Sequence, residues 1–167
     1  MAYGIDDLIE LMARLRDPVS GCPWDVKQSY KTIVTSTLEE AYEVADAIEQ
    51  EDFAHLKEEL GDLLFQVIFY SQLGKEDGHF DFSSIVDALV EKLVRRHPHV
   101  FPSGSLHGDN QRRELAESEV RAQWEALKQA EREAKGSASI LADVPLGLAA
   151  LTRATKLQKR AANVGFD

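Results

Sequence analysis

The sequence has little basic charge, one cysteine and no long apolar run. Its 19 Lys and Arg against 29 Asp and Glu give a formal net charge of −10, which argues against direct binding of nucleic acid phosphates. Cys22 alone cannot form an intrachain disulfide, and this suits a reducing compartment. No apolar stretch is long enough to cross a membrane, and the N-terminus lacks a signal-like pattern. We therefore expect a cytoplasmic protein that binds neither nucleic acid nor membranes.

Strand-like alternation of apolar and polar residues is scarce as well, and helical periodicity takes its place. Apolar residues recur at intervals of three and four, as in Leu8, Met12 and Leu15, a spacing that places them on one helix face. Proline and glycine mark loops at 17–25 and 101–110. We predict an all-α protein with helices over residues 5–15, about 30–50, 53–73, 81–96, 112–135 and 146–162.

The chain length suits a single domain with a short appendage. A domain of 167 residues is of ordinary size, and Gly136-Ser-Ala-Ser interrupts the helical pattern. We predict one module over residues 1–135 and a C-terminal helical segment over 136–167. The segment ends without a helix cap or a polar terminus, as if it led into a second unit.

The helix predicted at 53–73 combines carboxylates with an apolar surface on every side. The turn that carries Glu59 and Asp62 is followed by a run with no polar side, and we expect this helix to be largely buried. An uncompensated ionised carboxylate inside a protein costs several kcal/mol. Another part of the molecule, or a ligand, must therefore neutralise these two acids.

The preceding helix supplies a second acidic pair. Glu40 and Glu43, like Glu59 and Asp62, are spaced i,i+3 and share one helix face. The short connection makes the two helices antiparallel neighbours and brings the pairs to similar heights. Four facing carboxylates cannot all stay ionised without cations. Protonation of half of them is possible, but hard cations explain the arrangement more economically, and the oxygen-only ligand set favours Mg²⁺, or Mn²⁺, over Zn²⁺. Glu39 is then an outer ligand or holds a metal-bound water.

A solvated acidic surface is the alternative to a metal site. Glutamate-rich helix faces are common, and either acidic pair alone would carry little information. Their occurrence on two consecutive helices favours the metal. Gly61 would let another backbone or a ligand approach closely, and His55, one turn before Glu59, is a further residue that could face the site.

Basic residues that could meet a phosphate-bearing ligand follow later in the chain. Lys92, Arg95 and Arg96 end the helix predicted at 81–96, where cations also complement the helix dipole. Trp124 and Lys128 form an i,i+4 pair that could stack a base and hold a phosphate, although a helical tryptophan is more often part of a core. Since carboxylate-bound Mg²⁺ accepts di- and triphosphates, these five residues are candidate substrate-binding residues.

The order of these motifs resembles a known family. EExxE at 39–43 and ExxD at 59–62, with GCPWD at 21–25 and KLVRRHPHVF at 92–101, are together similar to the MazG nucleoside triphosphate pyrophosphohydrolases. The likeness extends over residues 5–167. It implies the all-α NTP pyrophosphatase fold, a helical bundle completed by homodimerisation. It also implies Mg²⁺-dependent cleavage between the α- and β-phosphates, giving a nucleoside monophosphate and pyrophosphate.

The resemblance also assigns roles to individual residues. By this likeness the metal ligands are Glu40, Glu43, Glu59 and Asp62. The positions that contact the nucleotide are Lys92, Arg96, Trp124 and Lys128. Longer members carry two such modules, and the terminal VGFD resembles the entry to a second one.

The expected function is hydrolysis of nucleoside triphosphates by a homodimer. A water oriented by Glu39 or Glu40 attacks the α-phosphorus, while Lys92 and Arg96 offset the charge of the triphosphate. Two alternatives stay open. One is a catalytically weak module that binds nucleotide and dimerises to regulate a partner domain, and the other is a purely structural helical interaction module.

Overall fold

The computed structural model describes residues 2–108, 115–134, 141, 144–162 and 165–166. Within these residues the chain forms helices and turns and no strand, which confirms the all-α prediction. The helices are α1 (Ile5–Leu15), α2 (Pro23–Lys27), α3 (Val34–Glu49), α4 (Phe53–Glu76), α5 (Phe82–Arg96), α6 (Glu117–Ala134) and α7 (Ala150–Ala162).

Several helix boundaries differ from the predicted ones. The loop predicted at 17–25 ends in α2, whose first residue is Pro23, a position where proline costs no hydrogen bond. α3 begins later than residue 30, because the Thr32 hydroxyl bonds the backbone of Ser29 in a turn. α4 continues three residues beyond Leu73, and α7 begins at Ala150 instead of residue 146. The predicted boundaries at 110, 112 and 135 and the break at 136–139 lie outside the described residues.

The pairing of α3 with α4 organises the first part of the chain. α4 starts at an N-cap, where the Asp52 carboxylate accepts hydrogen bonds from the backbone of Ala54 and His55. Thr37, early in α3, lies 3.0 Å from the hydroxyl of Tyr70, late in α4. The two helices therefore run antiparallel, as predicted. α1 packs on α4, and the buried core between these elements consists of Met12, Ile33, Ile68, Phe69 and Leu73.

α4 is less buried than its sequence suggested. Ile68 and Phe69 are enclosed, but Leu60, Leu64 and Val67 are 50%, 40% and 38% exposed. These three residues follow the i,i+4,i+7 spacing of a single helix face. The expectation of a largely buried helix is therefore wrong for one side of α4, which carries an exposed apolar stripe.

Gly74, a residue inside α4, permits a close contact with Phe80, which follows the end of the helix. A Cβ at this position would lie 2.5 Å from ring carbons of Phe80 and 2.8 Å from its carbonyl oxygen. The backbone N–H of His79 and of Phe80 donates to the Gly74 carbonyl. The glycine thus lets the chain fold back against its own helix, although the sequence pattern placed it just beyond the helix end.

Arg16 ties three segments together: the end of α1, α2 with its C-cap residue, and α4. Its side chain is 6% exposed and forms an ion pair of 2.6 Å with Glu76 at the end of α4. It donates to the carbonyl oxygens of Asp25 and Gln28, and its guanidinium lies 5.2 Å from the ring centre of Phe69. A buried guanidinium with these partners fixes the loop after α1 against α4.

The chain divides into two compact units, residues 1–92 and 93–167, with the boundary inside α5. In the second unit Lys159 of α7 lies 3.8 Å from Glu125 of α6. This division does not test the module boundary predicted at 135/136, which stays a prediction. Among the described residues no helix combines the length and hydropathy needed to cross a membrane.

Replacing Arg16 with alanine should lower the free energy of unfolding by about 3 kcal/mol, because Glu76 and two carbonyl groups lose their partner. Urea titration followed by circular dichroism measures this loss. The hydrogen bonds from Arg16 hold the pKa of Glu76 below its usual 4.5. The pair's contribution is therefore present above pH 4.5, and the difference between variant and wild type should shrink as the pH falls through the lowered pKa.

Arg14→Ala is the matched control, since Arg14 and its partner Glu10 are both exposed. This variant should lose less than about 0.5 kcal/mol. Equal losses in the two arginine variants would show that Arg16 has no special structural role.

Candidate functional site

Three carboxylates from two helices converge in the first unit. Three residues each place one carboxylate oxygen within 4.8 Å of the corresponding oxygens of the other two. They are Glu40 and Glu43 of α3 and Glu59 of α4. We call these three residues the acidic cluster. Glu59 is only 8% exposed, Glu40 is half-buried and Glu43 is exposed. The cluster therefore lies at a boundary between the helix contact and solvent.

Helix geometry explains this convergence. Residues i and i+3 share a helix face, so Glu40 and Glu43 point the same way from α3. The antiparallel pairing sets Glu43 opposite Glu59, just as it sets Thr37 opposite Tyr70. The predicted meeting of acids across one helix contact is present for these three residues.

The remaining predicted members lie around the acidic cluster rather than in it. Asp62 is exposed and is not one of the three converging groups, although its charge acts on both Glu40 and Glu59. Glu39 is also exposed and outside the cluster. At Gly61 no described atom lies within 4 Å of the place that a Cβ would take, so this chain itself makes no close approach there.

Burial and mutual repulsion disfavour the charged form of these acids. Burial, followed by the charges of Asp62 and Glu43, raises the pKa of Glu40. Burial is also the largest cause that raises the pKa of Glu59, and the charges of Glu43 and Asp62 add to it. The folded chain thus holds ionised carboxylates at a cost that a bound cation would offset.

His55 lies next to the acidic cluster. The sequence pattern indicates that this residue could face the site but does not place it among the site residues. Its Nδ1 lies 3.2 Å from a carboxylate oxygen of Glu59, one helical turn away. The charge of His55 acts to lower the pKa of Glu59, against the effect of burial. The i,i+4 spacing of His55 and Glu59 was the feature of the sequence from which this contact could be predicted.

The donor chemistry of the acidic cluster fits a hard divalent cation. Carboxylate oxygens are the ligands that Mg²⁺ and Mn²⁺ prefer in proteins, and Mg²⁺ often uses few of them and keeps several waters. Three converging acids, with Asp62 near enough to act on two of them, suffice for such a site.

A second cluster lies in the second unit, around Trp124 of α6. The guanidinium of Arg96 and the ammonium of Lys128 lie 5.5 Å and 5.4 Å from the ring centre, and the His97 ring meets Trp124 edge-on at 4.9 Å. Trp124 is half-buried. We call Arg95, Arg96, Trp124 and Lys128 the cation–tryptophan cluster. Trp124 thus packs beside cations, unlike the ordinary core tryptophan that was the alternative to a substrate-binding role.

Both arginines of this cluster share one partner. Arg95 and Arg96 form ion pairs of 2.8 Å and 2.5 Å with Glu131, a residue that no sequence motif singled out. Lys92 belongs to the first unit, is half-buried and makes no hydrogen bond or ion pair with a described residue.

The fold and the acidic cluster together define an all-α protein with a carboxylate site suited to divalent cations. Residues 28–101 match the family model of the MazG nucleotide pyrophosphohydrolase domain. The chain therefore carries a MazG domain, as its motifs predicted.

Relatives and a solved structure agree with this assignment. The chain is 55% identical to the nucleoside triphosphate pyrophosphohydrolase of Escherichia coli K12, over 98% of this chain and 59% of the relative. It is 39% identical to the nucleoside triphosphate pyrophosphohydrolase/pyrophosphatase MazG of Thermotoga maritima, over 97% and 58%. The crystal structure of a MazG-related protein from Thermotoga maritima superposes with a TM-score of 0.59 at 28% identity, covering 75% of this chain and 99% of that one. This chain spans about three-fifths of the length of the two named relatives.

Replacing Glu59 with glutamine should raise the melting temperature of metal-free protein by about 3 °C, because it removes a charge that burial and its neighbours disfavour. Adding Mg²⁺ should raise the melting temperature of the wild type, since the cation binds only the folded chain, and should raise that of the variant by less than half as much. Thermal unfolding in EDTA and in MgCl₂ at about pH 8 measures both effects.

Glu58→Gln is the control, because Glu58 is adjacent, exposed and outside the acidic cluster. It should respond to Mg²⁺ like the wild type. An equal response in the Glu59 variant would remove Glu59 from the metal ligands.

Proposed function

We propose that this chain hydrolyses nucleoside triphosphates between the α- and β-phosphates, with Mg²⁺ as cofactor, to a nucleoside monophosphate and pyrophosphate. The convergence of Glu40, Glu43 and Glu59 is the observation that carries this proposal. The description of the matched domain and the names of the relatives from Escherichia coli and Thermotoga maritima support it. Mn²⁺ is the expected substitute, because it accepts the same oxygen ligands.

The acids of the first unit would hold the cation and the attacking water. Bound Mg²⁺ supplies charge neutralisation on the phosphates and activation of a water for in-line attack. Glu40, Glu43, Glu59 and Asp62 are the proposed ligands. Glu40, whose half-buried carboxyl already has a raised pKa, or the exposed Glu39 orients the water.

The basic residues are the other proposed contacts to the nucleotide. Lys92, Arg95 and Arg96 offset phosphate charge, and guanidinium groups suit this task because their forked donors match phosphate oxygens. Trp124 offers a π surface to the base, and Lys128 beside it offers a further positive charge.

Replacing Glu43 with glutamine should lower kcat/KM for every nucleoside triphosphate by about 100-fold, because a cation ligand contributes several kcal/mol to transition-state stabilisation. Incubation with ATP, GTP, CTP and UTP in MgCl₂, with separate detection of pyrophosphate and orthophosphate, measures the loss and identifies the bond cleaved. Asp62→Asn tests the exposed fourth ligand in the same assay.

Glu49→Gln is the matched control, since Glu49 ends the same helix and lies outside the acidic cluster. Full turnover by the Glu43 variant would contradict the ligand assignment. Binding of nucleotide without pyrophosphate release by the wild type would favour the catalytically weak binding module.

We further propose that a second copy of this chain covers the exposed apolar stripe of α4. Leu60, Leu64 and Val67 repeat at helical spacing and face away from the core. α3 carries Leu38 and Tyr42, which are 53% and 67% exposed. Apolar faces of this kind on two packed helices are typical of protein–protein contacts. Homodimerisation completes the helical bundle that the sequence motifs implied.

Replacing Leu64 with aspartate should convert a dimer of the 18.7 kDa chain to a monomer, because it places a charge in an interface that excludes water. Sedimentation equilibrium measures the mass. Leu151→Asp is the control, since Leu151 lies on α7 and is 84% exposed. A monomeric wild type, or an undisturbed dimer in the Leu64 variant, would contradict the proposed interface.

A further inference from the structure

Glu131 of α6 holds the two arginines at the end of α5 with a single carboxylate. Nε and Nη2 of Arg95 donate to one carboxylate oxygen, at 3.0 Å and 2.8 Å. Nε of Arg96 donates to the same oxygen at 3.3 Å, and its Nη2 donates to the other oxygen. Four N–H groups from two guanidiniums thus converge on one acid, and such charge-assisted bonds fix both direction and distance.

This arrangement uses only one edge of each guanidinium. A guanidinium has five N–H donors, and Nη1 supplies two of them. Among the described residues, Nη1 of Arg95 and Nη1 of Arg96 have no hydrogen-bond partner. Glu131 therefore orients the two side chains and leaves donors on both for an anionic ligand.

The same carboxylate connects the arginines to the tryptophan. Trp124, Lys128 and Glu131 follow the i,i+4,i+7 spacing of one face of α6, and the Arg96 guanidinium lies 5.5 Å from the centre of the Trp124 ring. Holding Arg96 thus also sets its position beside the aromatic surface proposed for the base.

Glu131 stays ionised over the whole physiological range. The hydrogen bonds from Arg96, and then those from Arg95, lower the pKa of Glu131 to about 2. Its negative charge also offsets one of the two neighbouring positive charges. Without it, Arg95 and Arg96 would repel each other and spread over many rotamers.

We propose that Glu131 is a positioning residue, which holds Arg95 and Arg96 ready to bind the triphosphate of the substrate. The inference rests on the nucleotide-binding role proposed for the cation–tryptophan cluster. A binding site whose long side chains are already ordered loses less conformational entropy when the ligand binds. The opposite role, a carboxylate that competes with phosphate for the arginines, predicts the opposite sign when the acid is removed.

Replacing Glu131 with glutamine should weaken binding of inorganic tripolyphosphate about tenfold, since two ordered arginine side chains would have to be immobilised anew. Calorimetry in excess MgCl₂ measures this affinity without involving a base. In turnover assays with nucleoside triphosphates, KM should rise by a similar factor while kcat stays within about twofold. A merely structural role would lower kcat and the melting temperature instead.

Two variants complete the test. Glu117→Gln removes the same charge from α6 at an exposed position that pairs only with Arg121 among the described residues, and it should bind like the wild type. Glu131→Asp keeps the charge but shortens the side chain, and it should bind about threefold more weakly than the wild type. If Glu131→Gln does not fold, Glu131→Asp decides: a loss of about threefold supports the proposal, and wild-type or tighter binding overturns it.

The outcomes separate this proposal from the one on which it rests. Equal or tighter tripolyphosphate binding by Glu131→Gln, with a wild type that binds nucleotide, overturns only the positioning role. A wild type that binds neither tripolyphosphate nor any nucleoside triphosphate overturns the proposed function, and the positioning role with it.

Discussion

The repulsion among carboxylates across the α3–α4 contact is the constraint on which the rest of this structure depends. Burial and neighbouring charge raise the pKa of both Glu40 and Glu59, so folding holds these acids in a place that disfavours their ionised form. The apolar core around Ile68 and Phe69 and the buried Arg16 must stabilise the helices enough to keep the acids together. A divalent cation bound to the cluster, as in the proposed function, would offset this cost.

The net charge of the chain makes the placement of positive charge important for binding an anionic ligand as well. A molecule with a formal charge of −10 repels a triphosphate unless positive charge is supplied locally. Under the proposed function, the acidic cluster would supply it through divalent cations, and the cation–tryptophan cluster would supply it through Arg95, Arg96 and Lys128. Glu131 neutralises part of the positive charge of the cation–tryptophan cluster, and its ion pairs fix the positions of the Arg95 and Arg96 guanidiniums. Both clusters therefore use carboxylates to organise positive charge.

The sequence predicted the features that depend on local geometry. Helical spacing and one short connection suffice to bring Glu40, Glu43 and Glu59 together, because the rise and turn of a helix are constant. Pairs that are distant in the chain were not predictable: Arg16 meets Glu76 and Arg96 meets Glu131 only after the helices have packed. The apolar run of α4 showed that its side chains avoid water, but nothing in one chain's pattern shows whether a second surface covers them.

Gly74 carries a consequence for how this protein can vary. Ring and backbone atoms of Phe80 occupy the place where any other residue would begin its side chain, whereas nothing described lies within 4 Å of that place at Gly61. Of these two glycines in α4, Gly74 thus leaves no room for a side chain, whereas Gly61 does. In a library of random variants the first should behave as an invariant position and the second as a permissive one, although both look alike in the printed sequence.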